Sequence, residues 1–409
     1  MESGGRDAES VPVLIEPDLD FIDALRRQGG ESYRRCIQCG TCSATCGLSP
    51  DQAPFPRKEM AWATWGMRDR LVEDGDIWLC HQCNDCSLRC PRGARPGDVL
   101  AAIRQVSLSH YAVPRFLGDW VRRPRLLPLL LLIPTVLLGL AILARAPVER
   151  ALGIARYGDE IVYSFSPWLP HWLLNSFFGF FSVLSAIALG AGVSRFWRRL
   201  RAADLGRRGG APPKAVGAAI VSAVKKILLH ETFTQCTTST ARSVSHVFVF
   251  FGFLALCLVT FWVVTGRHNP LVHLDFVYPF GFFSPWKILA NLGGAVLLFG
   301  CVWMVWERLE RREKAGSSTY FDWTFLLALS LVVFSGFVAE GMHYLRLVPH
   351  RHVAYFVHLV LVFALLIYLP YSKFAHLLYR TTAMVYAEYS GRRMGVPASP
   401  EASRGREAG

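Results

Sequence analysis

Cys36-Ile37-Gln38-Cys39-Gly40-Thr41-Cys42-Ser43-Ala44-Thr45-Cys46 and Cys80-His81-Gln82-Cys83-Asn84-Asp85-Cys86-Ser87-Leu88-Arg89-Cys90-Pro91 share one spacing, C-x₂-C-x₂-C-x₃-C. Three closely spaced thiolates can wrap three irons of a four-iron cube from one loop, and the fourth must come from elsewhere. Two such runs read as two 4Fe-4S clusters. Zinc also takes C-x₂-C pairs, but as separated pairs rather than two runs of four. Disulfides are disfavoured because Met1 to Gln28 is polar, without the apolar run of a secretory signal, so the segment is expected to stay reduced. Cys236, Cys257 and Cys301 lie singly, at no ligand spacing, and read as ordinary buried residues.

The spacing is similar to that of bacterial two-cluster ferredoxins, in which the fourth ligand comes from the opposite run. By that resemblance Cys36, Cys39, Cys42 and Cys90 hold one cluster, and Cys80, Cys83, Cys86 and Cys46 the other. Pro91 follows the last cysteine as the pattern requires, whereas Gly47 stands at the equivalent place in the first run. Between the runs, Met60, Trp62, Trp65, Met67 and Leu71 suit a helix that shields the clusters from water.

The whole chain is 409 residues, 52% apolar and only 18% charged. So few charges cannot coat so much apolar surface, which excludes a disordered chain, a fibrous protein or an ordinary soluble enzyme. Six stretches read as membrane spans: Arg125–Leu143, Trp168–Val193, Val244–Val264, Pro285–Trp306, Phe321–Leu345 and Val353–Leu378. Most are near the roughly 20 residues that cross ~30 Å of hydrocarbon. Pro128 and Pro134 interrupt the first, for which a re-entrant segment is the alternative.

The net charge of +13 collects in alternate loops. Arg195, Arg198, Arg199 and Arg242 lie between the second and third spans, Arg308 follows the fourth, and Lys373, Arg380 and Arg392 mark the end of the sixth. This positive-inside pattern puts both termini and the cysteine runs on the cytoplasmic side of an inner membrane, and it makes nucleic acid a poor explanation. In the long loop, Val216, Ala219, Ile220, Ala223, Ile227 and Leu228 recur at helical spacing. They suit a helix on the membrane surface, or one packed on the soluble domain.

Ionisable side chains inside a membrane are costly and point to function. His246 opens the third span; His358 and His376 share the sixth, 18 residues or five whole turns apart, and so face one way about 27 Å apart. His376 returns to the depth of His246, where the pair suits a haem b iron. His343, near the outer end of the fifth span, is a candidate partner for His358 in a second haem, with His171 and His268 as alternatives. His273, His350 and His352 read as interface residues. Glu340, three residues before His343, is a candidate acceptor for a quinol proton or a structural link to a neighbouring helix.

Tyr355-Phe-Val-His358 through Pro370-Tyr-Ser-Lys373-Phe-Ala-His376 resembles the last helix of the respiratory nitrate reductase gamma chain family, and Arg242-Ser-Val-Ser-His246 resembles its earlier ligand helix. That resemblance pairs His246 with His376. The family's second histidine on the earlier helix falls at Leu256, which cannot ligate iron. The cysteine half is similar to the iron–sulfur C component of heterodisulfide reductase, and the membrane half to the cytochrome b that partners it there, the E component. Their fusion resembles the membrane component of the quinone-interacting membrane-bound oxidoreductase (Qmo) complexes. The resemblance implies menaquinone as substrate, cytoplasmic flavin and iron–sulfur subunits as partners, and adenylylsulfate reductase beyond them.

The expected architecture is all-α. A polar extension covers residues 1–30, an α-helical ferredoxin-like two-cluster domain 31–115, a transmembrane cytochrome b bundle of about six helices 125–380, and a flexible tail 381–409. No glycine-rich dinucleotide fingerprint occurs, so flavin and nicotinamide are expected on other chains.

Overall fold

The computed structural model describes residues 15–50, 54–153, 165, 168–205, 214–231, 240–268, 280–310 and 316–392; among these every regular element is helical. Cys236 and His273 lie outside the described residues, as does the side chain of His268. The cluster half is a set of short helices around one longer one: α1 (Leu19–Arg27), α2 (Thr41–Thr45), α3 (Arg57–Thr64), α4 (Arg68–Val72), α5 (Asp76–Leu79), α6 (Asp85–Leu88) and the central α7 (Pro96–Tyr111). Pro96 opens α7 in the first turn, where a missing N–H costs nothing.

The polar extension is shorter than its composition suggests. Asp18 caps α1 by accepting from Phe21 N at 2.8 Å, and Phe21 and Leu25 are buried. Residues 19–27 therefore belong to the cluster domain.

A short α8 (Arg115–Val121) leads into six long apolar helices: α9 (Leu127–Leu152), α10 (His171–Leu205), α12 (Thr240–His268), α13 (Pro285–Glu310), α14 (Tyr320–Tyr344) and α15 (His350–Ile367), with α11 (Val216–Leu228) between the second and third. All six are long and apolar enough to cross a membrane. Leu132, Leu143, Phe180, Ile187, Phe261, Leu292 and Phe334 point outward, as lipid-facing side chains do. The first span is one helix: Pro128 sits in its first turn, and Pro134 is accommodated inside it. α12 and α13 touch backbone to backbone. A Cβ on Gly252 would meet Gly293 O and Leu297 N, each at 2.7 Å, so only glycine fits there.

The sixth span differs most from expectation. α15 stops at Ile367, two 3₁₀ turns follow at Leu369–Tyr371 and Lys373–Ala375, and a separate helix α16 (His376–Tyr389) begins at the histidine itself. Pro370 has no N–H to continue the ladder. His358 and His376 therefore do not share one helix face. Nor are residues 381–389 a loose tail: Ala383, Met384, Val385, Tyr386 and Ala387 are buried. α11 packs along α16 with Ala219 and Ala223 inward.

The two halves share one core. Trp78 of α5 stacks on Tyr379 of α16 at 5.2 Å and meets Phe196 of α10 at 6.1 Å, while Tyr111 of α7 meets Phe196 at 5.3 Å. All four rings are fully buried. Polar contacts add to this: Gln105 Nε2 donates to Thr319 Oγ1 at 3.1 Å, and Ser317 N donates to Asp98 Oδ1 at 3.1 Å. Thr319 and Asp322 form a capping box at the start of α14. The cluster domain thus sits on the bundle end that carries the C-terminal part of α10 and the N-termini of α12 and α14.

Candidate cluster and haem sites

Each cysteine run folds by the same backbone device. Gln38 and Gly40 in the first run, and Gln82 and Asn84 in the second, have positive φ of 60, 84, 55 and 68°. Left-handed residues at these matched positions curl the loop around its thiols. Gln38 N donates to Cys36 Sγ at 3.5 Å and Gln82 N to Cys80 Sγ at 3.3 Å. The third cysteine of each run, Cys42 and Cys86, is buried on α2 and α6.

The loops deliver two cavities. One is lined by Cys36, Cys39, Cys42 and Cys90, with Arg57 and Arg92 beside them. The other is lined by Cys46, Cys80, Cys83 and Cys86. The last cysteine of each run thus lies in the other run's cavity. Burial and the neighbouring thiols push Cys42 up to about 11 and Cys46 up to about 12, with Cys86 also raised. Four converging thiols that repel one another's ionisation suit a cationic metal core that holds them all as thiolates. The residues present therefore fit iron–sulfur clusters.

The two cavities differ in surroundings. At the first, Cys39 is exposed and Ile37 is 59% exposed. The second is clamped from both halves of the protein. Arg104 of α7 donates to Ile77 O at 2.8 Å, Cys80 O at 3.1 Å and Gln82 Oε1 at 3.1 Å. Arg242 of α12 donates to Gln82 O at 2.8 Å, and Arg380 of α16 to Cys80 O at 3.3 Å and the His81 ring at 2.8 Å. Burial and Arg380 keep His81 well below its usual pKa, hence neutral. Charge counting along the sequence assigns Arg242 and Arg380 to topology alone. A finer signal was available: each stands four residues from a candidate haem ligand, His246 or His376, on the same helix face.

His246, His376 and His230 lie close enough to act on one another electrostatically, and the ring centroids of His230 and His246 are 5.8 Å apart. His376 Nδ1 donates to Lys373 O, which leaves Nε2 facing outward from its own turn as a metal ligand would. Phe253 of α12 packs on Phe374 at 4.8 Å and holds the two elements together. Two largely buried imidazoles at one end of the bundle are the donor type that a haem iron takes.

His358 shows the same orientation: its Nδ1 is 3.1 Å from Val332 O and 3.1 Å from Ser335 Oγ. It does not face His343. The α14–α15 turn is centred near Leu347, not near His350 and Arg351, so His358 lies opposite Ser335 and Gly336. His343, eight residues further along α14, is about 12 Å away by helical rise. It packs instead on Phe165 at 5.2 Å. Leu256 packs among Leu297, Val333 and their neighbours, with no ligand in its place. Glu340 is tied to α13, with Asn291 Nδ2 at 3.0 Å and Lys287 Nζ at 2.9 Å, as a structural link between helices would be.

Comparison with known proteins agrees with the two halves. Residues 32–94 match the 4Fe-4S dicluster domain, and residues 121–397 match the family of citrate utilization protein B. Citrate utilization protein B of Escherichia coli is 29% identical over 395 residues, covering 93% of this chain and 94% of that protein. Over the cluster half, the C component of the H(2):CoB-CoM heterodisulfide,ferredoxin reductase of Methanothermobacter marburgensis is 34% identical over 88 residues, 21% of this chain and 47% of its own. A protein of Archaeoglobus profundus that is itself like the heterodisulfide reductase C component is 30% identical over 119 residues, 28% and 63%. No solved structure matches. The fold and the cysteine cradles define an iron–sulfur electron-transfer subunit related to that heterodisulfide reductase component, carrying six apolar helices compatible with a multi-pass membrane protein. The chain belongs to the citrate utilization protein B family.

Proposed function

We propose that this chain passes electrons between the menaquinone pool and a cytoplasmic flavin and iron–sulfur partner, through one haem b held by His246 and His376 and then through the two clusters. One observation carries the reading. The cradle of Cys46, Cys80, Cys83 and Cys86 is gripped by Arg242 and Arg380, each one turn from a candidate haem ligand. Cluster and haem sites are thereby built from the same helix ends. The haem would supply a one-electron step between the clusters and a quinone that takes two electrons and two protons. The positive-inside pattern puts this end of the bundle in the cytoplasm.

The cradle of Cys36, Cys39, Cys42 and Cys90 is the outermost station, and the exposed Cys39 and Ile37 mark where the partner docks. Quinone exchange belongs near the His246/His376 level. Glu340 is about 27 Å along α14 from Asp322 at the cluster end, so this reading gives it no proton-transfer role. His358 and His343 are not a pair, and a second haem at His358 would need another ligand.

The full-length likeness to a citrate utilization protein favours a partner that acts on a carboxylic acid. The heterodisulfide reductase likeness of the cluster half supports a second reading, a sulfur-metabolism partner of the quinone-interacting oxidoreductase type that serves adenylylsulfate reductase. Haem and iron per chain, measured on protein purified from native membranes with its bound partners, test the proposal. One b haem and about eight non-haem irons, with haem reduced by added menaquinol, are expected. A chain without haem would refute the quinone reading, and the co-purified enzyme separates the two partners.

A further inference from the structure

A cavity away from both cradles lies at the joint between α7, α8 and α10. It measures about 560 Å³ and is lined by His110, Arg115, Arg195, Arg198 and Arg199, with no carboxylate among the described residues of its wall. Glu73 pairs with Arg199 at 3.0 Å, and Arg68 Nη2 lies 3.2 Å from His110 Nδ1. Burial, Arg68 and Arg115 push His110 down to about 4, so it is neutral and serves as a hydrogen-bonding group. Among the described residues, Arg115, Arg195 and Arg198 have no carboxylate partner. Three uncompensated guanidinium groups converge on one cleft.

Chain geometry fixes its depth. α9 enters the apolar layer at Leu127, a few residues after α8, so α8 runs at the membrane surface. From His171, the roughly 20 residues that span the hydrocarbon bring α10 to Ala191. Arg195 is then about 6 Å beyond the apolar layer, and Arg198 and Arg199 about 5 Å further. Both walls thus meet at headgroup level. Phe116, beside Arg115, is 52% exposed and packs edge-on against Trp120 at 5.3 Å, as interfacial aromatics do.

We propose that this cavity is a binding site for the phosphate of an anionic phospholipid, gripped by Arg115 from α8 and by Arg195 and Arg198 from α10. Guanidinium forks suit phosphate oxygens, and a lipid seated there would tie the cluster domain to the bundle at the bilayer surface. The site is independent of the haem and quinone reading.

The test uses the full chain, delipidated in neutral detergent and titrated with phosphatidylglycerol or phosphatidylcholine, with bound lipid counted by native mass spectrometry. About one tightly held phosphatidylglycerol per chain is expected, with phosphatidylcholine binding far more weakly. The double variant Arg195→Gln/Arg198→Gln should weaken phosphatidylglycerol about thirty-fold, at roughly 1 kcal/mol per arginine. Arg115→Gln, on a different helix, should weaken it about five-fold by the same measure. Arg201→Gln, exposed on α10 but outside the cavity, should leave it within about two-fold, because bonding to one phosphate falls off within a contact distance. Iron content must match wild type, which separates loss of the site from misfolding. Equal binding of the two lipids, or an equal loss in Arg201→Gln, would overturn the site. Displacement of the lipid by millimolar inorganic phosphate would overturn the lipid and leave a soluble-oxyanion pocket.

Discussion

Lys58→Met probes the buried charge balance beneath the second cluster loop, where Asp76 opens α5 four residues before Cys80. Lys58 Nζ lies 3.0 Å from Asp74 Oδ2 and 3.4 Å from Glu59 Oε1, and is also paired with Asp76. Arg392 holds the far side of Asp76 at 2.5 and 2.6 Å. All three carboxylates are buried. They converge as metal ligands would, but the ammonium fills the centre. Three ionised carboxylates against two cations would leave one surplus negative charge. Glu59 removes it by keeping its proton, because burial and the adjacent Asp74 raise its pKa well above the carboxylate range. Burial opposes the charged form of Lys58, yet the ionised Asp74 and Asp76 raise its pKa and keep it an ammonium.

Methionine keeps most of the stem volume and deletes the charge, so Asp74 and Asp76 are left sharing Arg392. Breaking a buried pair in this way costs about 3–5 kcal/mol. At roughly 4 °C or more per kcal/mol for a domain of about 100 residues, the apparent midpoint should fall by at least about 12 °C. The assay is bleaching of cluster absorbance during a fixed-rate thermal scan in detergent.

The sign of the pH dependence follows from Asp76, whose pKa is already raised by burial and by Asp74 and rises further without Lys58. A carboxyl with a folded pKa above its unfolded value contributes stability at low pH that is lost as pH rises through the folded pKa. The variant's deficit should therefore be smaller near pH 5 than near pH 8. Adding Asp76→Asn to Lys58→Met removes the surplus charge and should recover part of the loss. A deficit below about 1 kcal/mol, or one that is the same at both pH values, refutes the charge balance, since a buried unpaired carboxylate cannot be that cheap.

Three further outcomes follow from the sites. Cys90→Ala should perturb the paramagnetic signal of the cluster held by Cys36, Cys39 and Cys42 and leave the other intact; a change confined to the other signal would undo the crossed ligand set. His376→Ala should abolish the b haem and leave about eight irons in place, and unchanged haem content would remove His376 from the assignment. Arg380→Gln withdraws one positive charge from the loop of Cys80, which at about 10 Å and an effective dielectric of about 20 is roughly 1.7 kcal/mol, or about 70 mV for one electron. The potential of that cluster should fall by tens of millivolts in a redox titration, and an unmoved potential would mean that Arg380 only holds the loop.

What was legible in the sequence was whatever covalent spacing enforces. C-x₂-C-x₂-C-x₃-C leaves a loop few ways to present its first three thiols; the crossing came from the ferredoxin resemblance, and the structure has Cys90 lining the first run's cavity and Cys46 the second's. The apolar runs were equally plain, because crossing hydrocarbon demands length and composition together. Hydropathy failed where an apolar stretch stops being a membrane helix. Tyr368-Leu369-Pro370-Tyr371 is apolar, but Pro370 breaks the ladder, and Tyr371 sends its hydroxyl to Val113 O at 2.7 Å in the cluster half. The helix that follows is apolar because it packs on Trp78 and α11, not because it meets lipid. Charge failed in the complementary way. Arg242 and Arg380 count toward the basic loops, yet a count cannot tell a solvated arginine from one donating to the carbonyls of a cluster loop.

That ambiguity matters for function, because the same residues answer two questions at once. A cluster loop needs fixed donors to hold its carbonyls, and a haem ligand needs a helix whose position cannot drift. On the proposed haem assignment, placing Arg242 and Arg380 one turn from His246 and His376 meets both needs with one pair of helix ends. A shift of either helix would then disturb the cluster loop and the histidine pair together. Point substitutions that leave the helix in place should instead separate the two: His376→Ala deletes the proposed haem ligand and leaves the guanidinium bonds to Leu79 and Cys80 in place, whereas Arg380→Gln releases the loop.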